Sequence, residues 1–176
     1  MASPELKLRR AVQADYVILA EFGRRAFLET FGPDNRPEDM EAYLAGAFSP
    51  ELQAAEIAEM GSVFLIAEID GVLAGYARLL EGHAPEGLQA EHPVELVRIY
   101  ADQPWIGHGV GSALMQGCLD EADRMGCDWI WLGVWERNER AIGFYHKWGF
   151  SRLGTHIFKL GSDLQTDLIL ARRILV

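Results

Sequence analysis

Residues 138–150 read NERAIGFYHKWGF, and this stretch decides how the rest of the chain is interpreted. Ala141 and Tyr145 are four residues apart, so they share one face of a predicted helix. Gly149 is the residue type that lets a helix end in a left-handed turn before a strand begins. By itself the stretch predicts only a short amphipathic helix, so its meaning depends on what precedes it.

A second informative segment, residues 94–125, lies about thirty residues upstream and reads VELVRIYADQPWIGHGVGSALMQGCLDEADRM. Its β-branched start predicts a strand, and three glycines within five residues then precede an amphipathic helix. The apolar stripe of that helix consists of Val110, Leu114, Cys118 and Ala122. Glycines at a strand-to-helix turn expose backbone N–H groups beside the positive end of the helix, which predicts a phosphate or pyrophosphate site.

Several kinds of protein have a glycine loop of this type. A Walker-type loop requires a Lys before the Ser/Thr, but here Ser112 follows Gly111 directly. A dinucleotide-binding turn would use an acid such as Glu136, but the connection from Ala101 to Gly109 is long for that turn. A third interpretation is purely structural, with glycines that ease close packing.

The combination of GHGVG at residues 107–111 with NxxAxxxYxxxGF at residues 138–150 resembles the GCN5-related N-acetyltransferases (GNAT), which transfer acetyl from acetyl-CoA to an amine. The resemblance covers nearly the whole chain and implies one N-acetyltransferase domain over residues 1–176. It implies an α/β (α+β) acyl-CoA N-acyltransferase fold, in which helices flank a mixed central sheet with a splayed parallel pair. The family usually has Gln or Arg where this chain has Ile106, so the resemblance predicts weaker pyrophosphate binding.

The resemblance also implies roles for individual residues. The implied cofactor-binding set is Ile99, Tyr100, Ala101, Ile106, Gly107, His108, Gly109, Val110, Gly111, Ser112, Asn138, Tyr145 and Lys147. Asn138 is expected to order its loop, and Lys147 to meet either the cofactor phosphates or solvent. Tyr145 occupies the position of the acid that protonates the CoA thiolate in many family members.

Glu95 is the candidate general base, because a glutamate four residues before the segment equivalent to Ile99 has that role in the histone-acetylating branch. Strand alternation predicts that Glu95, Val97 and Ile99 share one face. An ion pair with Arg98 is the structural alternative for Glu95, and a water relay is the catalytic one.

The acceptor is predicted from a further resemblance. Residues 27–48, 131–150 and 165–174 are similar to the bacterial spermidine/spermine N-acetyltransferase branch, which implies a polyamine substrate. The acids expected to form a cation-binding rim are Glu29, Asp34 and Glu41, together with Glu38 and Asp39. Two alternatives remain: acetylation of a protein N-terminus or lysine, and a non-catalytic acyl-CoA sensor.

Composition narrows the class of partner. The chain has 176 residues, 49% of them apolar, which is enough for a folded core. Its formal net charge of −10 argues against nucleic acid and favours a cationic small-molecule ligand. With no membrane-length apolar run and no secretory core, a cytoplasmic location without a membrane partner is expected. The scattered histidines predict no metal site, and Cys118 is expected to be a buried thiol.

The predicted elements form one alternating series. Strands are expected at residues 6–9, 63–69, 72–80, 94–100, 129–135, 151–160 and 164–174, with a tight turn at Asp70-Gly71. Helices are expected from an Asp15 cap to about residue 31, at 37–48 and 50–59, and after each of the two motif loops. The last two strands provide an edge through which a homodimer can form.

Overall fold

A computed structural model describes residues 4–174 as a seven-stranded mixed sheet packed between helices. The strands are β1 Leu6–Arg10, β2 Ser62–Ile69, β3 Val72–Glu81, β4 Pro93–Ala101, β5 Trp129–Trp135, β6 Ser151–Leu160 and β7 Asp163–Arg173. The helices are α1 Tyr16–Phe31, α2 Pro37–Ala47, α3 Pro50–Ala58, α4 Val110–Arg124 and α5 Glu139–Lys147. The domain predicted from the sequence also includes residues 1–3 and 175–176, which lie outside the described range.

The sheet order is β1-β2-β3-β4-β5-β7-β6, and among the described strands the one parallel contact joins β4 to β5 across the α4 crossover. Within residues 4–174, the pairing between these strands is limited to three positions, the last being Glu95 opposite Trp131. Beyond that pair the two strands separate. The splayed parallel pair and the flanking helices confirm the predicted fold.

Several local sequence signals are confirmed. Asp70 and Gly71 both have left-handed backbone angles, with φ of 51° and 80°, in the turn between β2 and β3. Pro37 and Pro50 each begin a helix. Gly149 has φ of 83°, which is the left-handed turn expected after α5.

Helix α4 packs against one face of the sheet through its predicted apolar stripe. Val110, Leu114, Cys118 and Ala122 are all completely buried in the core formed with β2, β3 and β4. Both cysteines, Cys118 and Cys127, are buried free thiols in the described structure. No helix within residues 4–174 is both long enough and apolar enough to cross a membrane.

The opposite face of the sheet is covered by α1, α2 and α3. Asp15 was expected to cap α1, but a 3-10 turn at Gln13–Asp15 precedes the helix and redirects this side chain. Asp15 accepts hydrogen bonds from the backbone N–H of Val12 at 2.7 Å and from the Arg9 guanidinium at 2.8 Å. It therefore fixes the link between β1 and α1 instead of capping the helix.

Strand β4 contains a bulge that the sequence did not predict. Arg78 of β3 lies opposite Arg98, whereas the next residue, Leu79, lies opposite Leu96. Val97 is the additional residue, and such an insertion reverses the alternation of side chains that follow it.

The bulge makes the predicted face assignment of Glu95, Val97 and Ile99 wrong. Leu96 and Ile99 both pack against the core beneath α4, whereas Arg98 reaches α3 on the opposite side. Glu95, as the neighbour of Leu96, therefore faces the α1–α3 side of the sheet. The candidate base and the Ile99 segment lie on opposite faces.

Candidate active site

A cavity of about 360 Å³ occupies the gap between the separated ends of β4 and β5. On the α4–α5 side its lining includes Ile99, Ala101, Ile106, Asn138, Arg140, Ala141 and Tyr145. On the α1–α2 side its lining includes Phe27, Thr30, Phe31, Asn35, Tyr43, Glu95, Gly133, Trp135, His156, Phe158, Gln165 and Asp167. The cleft thus passes through the sheet and connects its two faces.

The glycine loop lies at the start of α4. Gly107 and Gly109 adopt left-handed backbone conformations, with φ of 82° and 88°, which side chains other than glycine rarely adopt. The first intrahelical bond runs from the Ala113 N–H to the Gly109 carbonyl at 2.9 Å. The N–H groups of the first turn, including those of Gly111 and Ser112, therefore have no partner within the helix and can bind an anion.

Two other loop positions contribute differently from what their side chains suggest. Val110 is completely buried, so only its backbone is available to a ligand. The His108 ring lies edge-on to Trp105, with 6.1 Å between centroids, on the outside of the loop. The predicted cofactor residues 107–112 are therefore neighbours, and backbone amides are the groups they offer in common.

Tyr145 lies at the cleft on a helix that Asn138 starts. The Asn138 side chain accepts a hydrogen bond from the Ala141 N–H at 3.2 Å, so it caps α5. Tyr145 is buried between Phe144 and Phe150, whose ring centroids are 5.6 and 5.9 Å away. Burial raises the pKa of the Tyr145 phenol above its ordinary value, so this group remains protonated and available as a donor.

Glu95 reaches the cleft from the last paired position of β4. Burial raises the pKa of its carboxyl, and the positive charge of Arg78 partly opposes the increase. Arg98, the predicted ion-pair partner, instead holds Glu56 of α3 with two hydrogen bonds of 2.7 and 2.8 Å. Glu95 is consequently positioned toward the cavity as a partly desolvated carboxylate.

Arg140 was missed by the sequence analysis. It lies two residues after the Asn138 cap, on the first turn of α5, and lines the α4–α5 side of the cleft. Lys147, the predicted phosphate contact, is exposed on the last turn of α5, and in the described chain it is not part of the cleft lining. A basic residue on the first helical turn after the Asn was the signal that would have identified Arg140.

The acids predicted to form the substrate rim lie elsewhere. Glu29, Asp34 and Glu41 are exposed, and none belongs to the cleft lining in the described structure. Helical periodicity turns Glu29 toward Arg25, at 3.9 Å, and places Glu41 in a shallow outer groove. This corrects the predicted substrate set.

Asp39, another predicted rim acid, has a structural role. It is buried and accepts hydrogen bonds from the backbone N–H and hydroxyl of Ser162, at 2.7 and 2.8 Å. Glu38 is exposed on the same helix. Among the described residues, the carboxylates that line the cleft are Glu95 and Asp167.

The cleft suits an acyl-CoA donor. The left-handed glycines follow the lining residue Ile106, and with the helix start they present free amides of the kind that bind phosphates. Arg140 places a cation in the lining, and the separated edge of β4 presents backbone groups of the kind that pair with an extended amide chain. The phenol of Tyr145 lines one face of the cleft, and the carboxyl group of Glu95 lines the other. Fold and site together define an acyltransferase.

Comparison with known proteins gives the family. The chain matches the sequence model of the acetyltransferase (GNAT) family over residues 24–150. It is 36% identical over 172 residues to an uncharacterized N-acetyltransferase in the pepI 3' region of Lactobacillus delbrueckii subsp. lactis, covering 94% of this chain and 97% of that protein. The chain belongs to the GNAT family and is an acetyl-CoA-dependent N-acetyltransferase.

Two further proteins are similar to this chain. The L-methionine sulfoximine/L-methionine sulfone acetyltransferase of Salmonella typhimurium is 28% identical over 149 residues, which cover 83% of this chain and 80% of that protein. A crystal structure of paia N-acetyltransferase from Thermoplasma acidophilum in complex with coenzyme A has a TM-score of 0.79 at 22% identity, covering 96% of this chain and 99% of that chain. The latter shares the fold.

Replacing Ile106 by Arg is expected to strengthen acetyl-CoA binding. Ile106 lines the cleft beside the glycine loop, where a guanidinium can pair with a phosphate while the backbone amides are kept. The dissociation constant, measured by calorimetry, should fall roughly three- to tenfold, and the gain should shrink as salt is added. Ile106→Leu is the matched control. Equal affinities for the two variants would show that position 106 does not approach the phosphates.

Proposed function

We propose that the enzyme acetylates the primary amine of a small molecule by direct attack in a ternary complex. Glu95 takes the proton from the acceptor ammonium, and Tyr145 protonates the departing CoA thiolate. The observation that carries this assignment is the cleft that passes through the sheet, with Tyr145 lining its α4–α5 side and Glu95 lining its α1–α2 side. Donor and acceptor then approach each other from opposite faces.

Bound acetyl-CoA supplies the thioester that the amine attacks. Glu95 holds the proton on its carboxylate, and because burial raises its pKa, the carboxylate is a stronger base than an exposed glutamate. Tyr145 donates from its phenol oxygen. Backbone N–H groups on the separated edge of β4 can stabilise negative charge on the carbonyl oxygen.

The α1–α2 side of the cleft forms an acceptor chamber that favours a small substrate over a protein chain. Gln165 donates a hydrogen bond to Asn35 at 2.5 Å, and Arg36 donates one to the Ser162 hydroxyl at 2.8 Å. With the Asp39–Ser162 bonds, these contacts join the start of α2 to the β6–β7 hairpin across the acceptor side. A bound peptide needs an open groove, which here requires these bonds to break.

A polyamine is the specific acceptor that we propose to test first. The net charge of −10 favours cationic molecules, and Glu95 and Asp167 place carboxylates within the chamber. The similar enzyme from Salmonella typhimurium, named for acetylation of two methionine derivatives, supports an acceptor of small-molecule size. Spermidine, spermine and simple alkyl amines therefore belong in the same panel as amino-acid derivatives.

The test is release of free CoA thiol from acetyl-CoA with a panel of amines and with peptides that carry a free N-terminus or lysine. We expect turnover with small primary amines and little with the peptides. Calorimetry with acetyl-CoA accompanies the panel. Binding without turnover on any amine would favour an acyl-CoA sensor, whereas a preference for peptides would overturn the small-molecule assignment.

A further inference from the structure

We propose that Asp167, beside His156 and above Gly133, determines acceptor specificity by binding a second cationic group of the acceptor. This inference rests on the proposed function, because it assigns the distal part of the same acceptor. Glu95 serves the reacting amine, and Asp167 serves an ammonium at the other end of the molecule. The preferred acceptors are then aliphatic diamines and longer polyamines.

The Asp167–His156 pair lies in the cleft lining on the β6–β7 hairpin. His156 of β6 lies directly opposite Asp167 of β7, and His156 Nε2 is 3.8 Å from Asp167 Oδ2. The Asp167 side chain is 13% exposed, whereas that of His156 is 42% exposed. The carboxylate is therefore enclosed while the imidazole reaches solvent.

Burial and the neighbouring His156 both act on the charge of Asp167. Burial raises the pKa of its carboxyl, and the charge of His156 acts in the opposite direction. Arg78 and Arg98, two guanidinium groups on the α3 side of the sheet, are held by Glu56 at 2.9 and 2.7 Å. An enclosed carboxylate of this kind is stabilised by a cation that the ligand brings.

Gly133 leaves space on β5 beside the Asp167–His156 pair. A Cβ atom at this position would be 2.9 Å from His156 Cε1 and 3.3 Å from Asp167 Oδ2. Any other residue would push into the pair or fill the gap between it and Glu95. Glycine at position 133 therefore leaves room beside the Asp167–His156 pair, and a larger residue would displace the exposed His156 ring.

Glu95 and Asp167 lie opposite different positions along β5. Glu95 lies opposite Trp131, and Asp167 lies opposite Trp135 on the same strand, β5. The two backbone positions are separated by four residues of strand, about 13 Å, and the Asp167 carboxylate lies beside Gly133, between them. A molecule with two ammonium groups can place one beside each carboxylate.

The walls between the carboxylates suit a chain of methylene groups. Aromatic rings surround this part of the cavity, and they contact one another: Tyr43 and Phe158 at 5.5 Å between centroids, and Phe31 and Trp135 at 6.0 Å. Such rings pack against an aliphatic linker and attract ammonium groups through their faces. The chamber thus offers charge at two positions and apolar surface between them.

The experiment compares Asp167→Asn with wild type on α,ω-diamines of three to eight carbons and on 1-aminopentane. We expect the KM for the preferred diamine to rise roughly 10- to 100-fold with kcat within about twofold, the range for loss of a charged hydrogen bond. The KM for 1-aminopentane should change by less than about threefold. Asp123→Asn, which changes an exposed carboxylate of α4 outside the described cleft lining, is the matched control.

Other outcomes overturn the inference. If Asp167→Asn raises KM equally for diamine and monoamine, or lowers kcat alone, Asp167 does not read a distal charge. Gly133→Ala provides a second variant, and it should raise the diamine KM in the same direction. Circular dichroism and thermal melting check that each variant folds.

Calorimetry with 1,5-diaminopentane and CoA-saturated enzyme separates this inference from the proposed function. Binding that depends on Asp167, without turnover of any amine, would support the diamine site and contradict the proposed function. Equal KM values for diamines and monoamines in the wild-type enzyme would leave the proposed function standing and overturn the diamine site.

Discussion

Glu95→Gln is expected to lower kcat/KM for the acceptor about 10²- to 10⁴-fold, the range for loss of a general base. The amide keeps the shape of the side chain but does not accept a proton from the acceptor ammonium. The variant should fold, because a raised pKa means that the folded protein disfavours the charged carboxylate. A neutral side chain at this position therefore leaves stability near pH 7 unchanged or higher. Steady-state kinetics on the best amine of the panel measure the loss.

The pH dependence gives an independent check on Glu95. The base must be deprotonated, so kcat/KM rises with pH through the pKa of Glu95. Since burial raises that pKa, the acidic limb should lie above the range of an ordinary glutamate and should be absent from Glu95→Gln. Glu41→Gln, an exposed carboxylate of α2 outside the described cleft lining, is the matched control. If the pH profile of kcat/KM is unchanged in Glu95→Gln, a water relay and not Glu95 removes the proton from the acceptor ammonium.

Tyr145→Phe is expected to slow acetyl transfer roughly tenfold or more while leaving acetyl-CoA binding unchanged. Phenylalanine keeps the ring that packs against Phe144 and Phe150, so only the hydroxyl is lost. Because burial raises the pKa of the phenol, Tyr145 still carries its proton when the thiolate departs and can donate it to the sulfur. Single-turnover measurements at saturating acetyl-CoA isolate this step.

The control for Tyr145 is Tyr16→Phe, which removes a hydroxyl from a partly exposed tyrosine at the start of α1. Its transfer rate should equal that of wild type. A Tyr145→Phe enzyme whose transfer rate lies within twofold of wild type would leave Tyr145 as a packing residue beneath the cofactor.

Much of the fold was predictable because its signals are local. The Asp70-Gly71 turn, the prolines that begin α2 and α3, and the left-handed Gly149 each depend on a few adjacent residues. The stripe of α4 likewise follows from helical periodicity alone. These features need no knowledge of which strands pair.

The unpredicted features depend on long-range pairing. The bulge at Val97 arises from the register between β3 and β4. It places Glu95 and Ile99 on opposite faces of the sheet, whereas alternation predicted that they share one face. Asp167 and His156 enter the site because β6 and β7 pair beside β5, far from either motif in sequence. The acids of the helices near the N-terminus were predicted as substrate contacts from composition, and composition does not show which face of a helix a side chain occupies.

The short contact between β4 and β5 has a thermodynamic consequence. Three residue pairs join β1–β4 to the group formed by β5, β7 and β6, so sheet hydrogen bonding contributes little across the divide. A ligand that bonds to both sides replaces the missing ladder and couples binding to folding. At a concentration one hundred times its dissociation constant, such a ligand stabilises the folded state by about 2.7 kcal/mol. We therefore expect the thermal stability of this enzyme to rise with the concentration of its own acetyl donor.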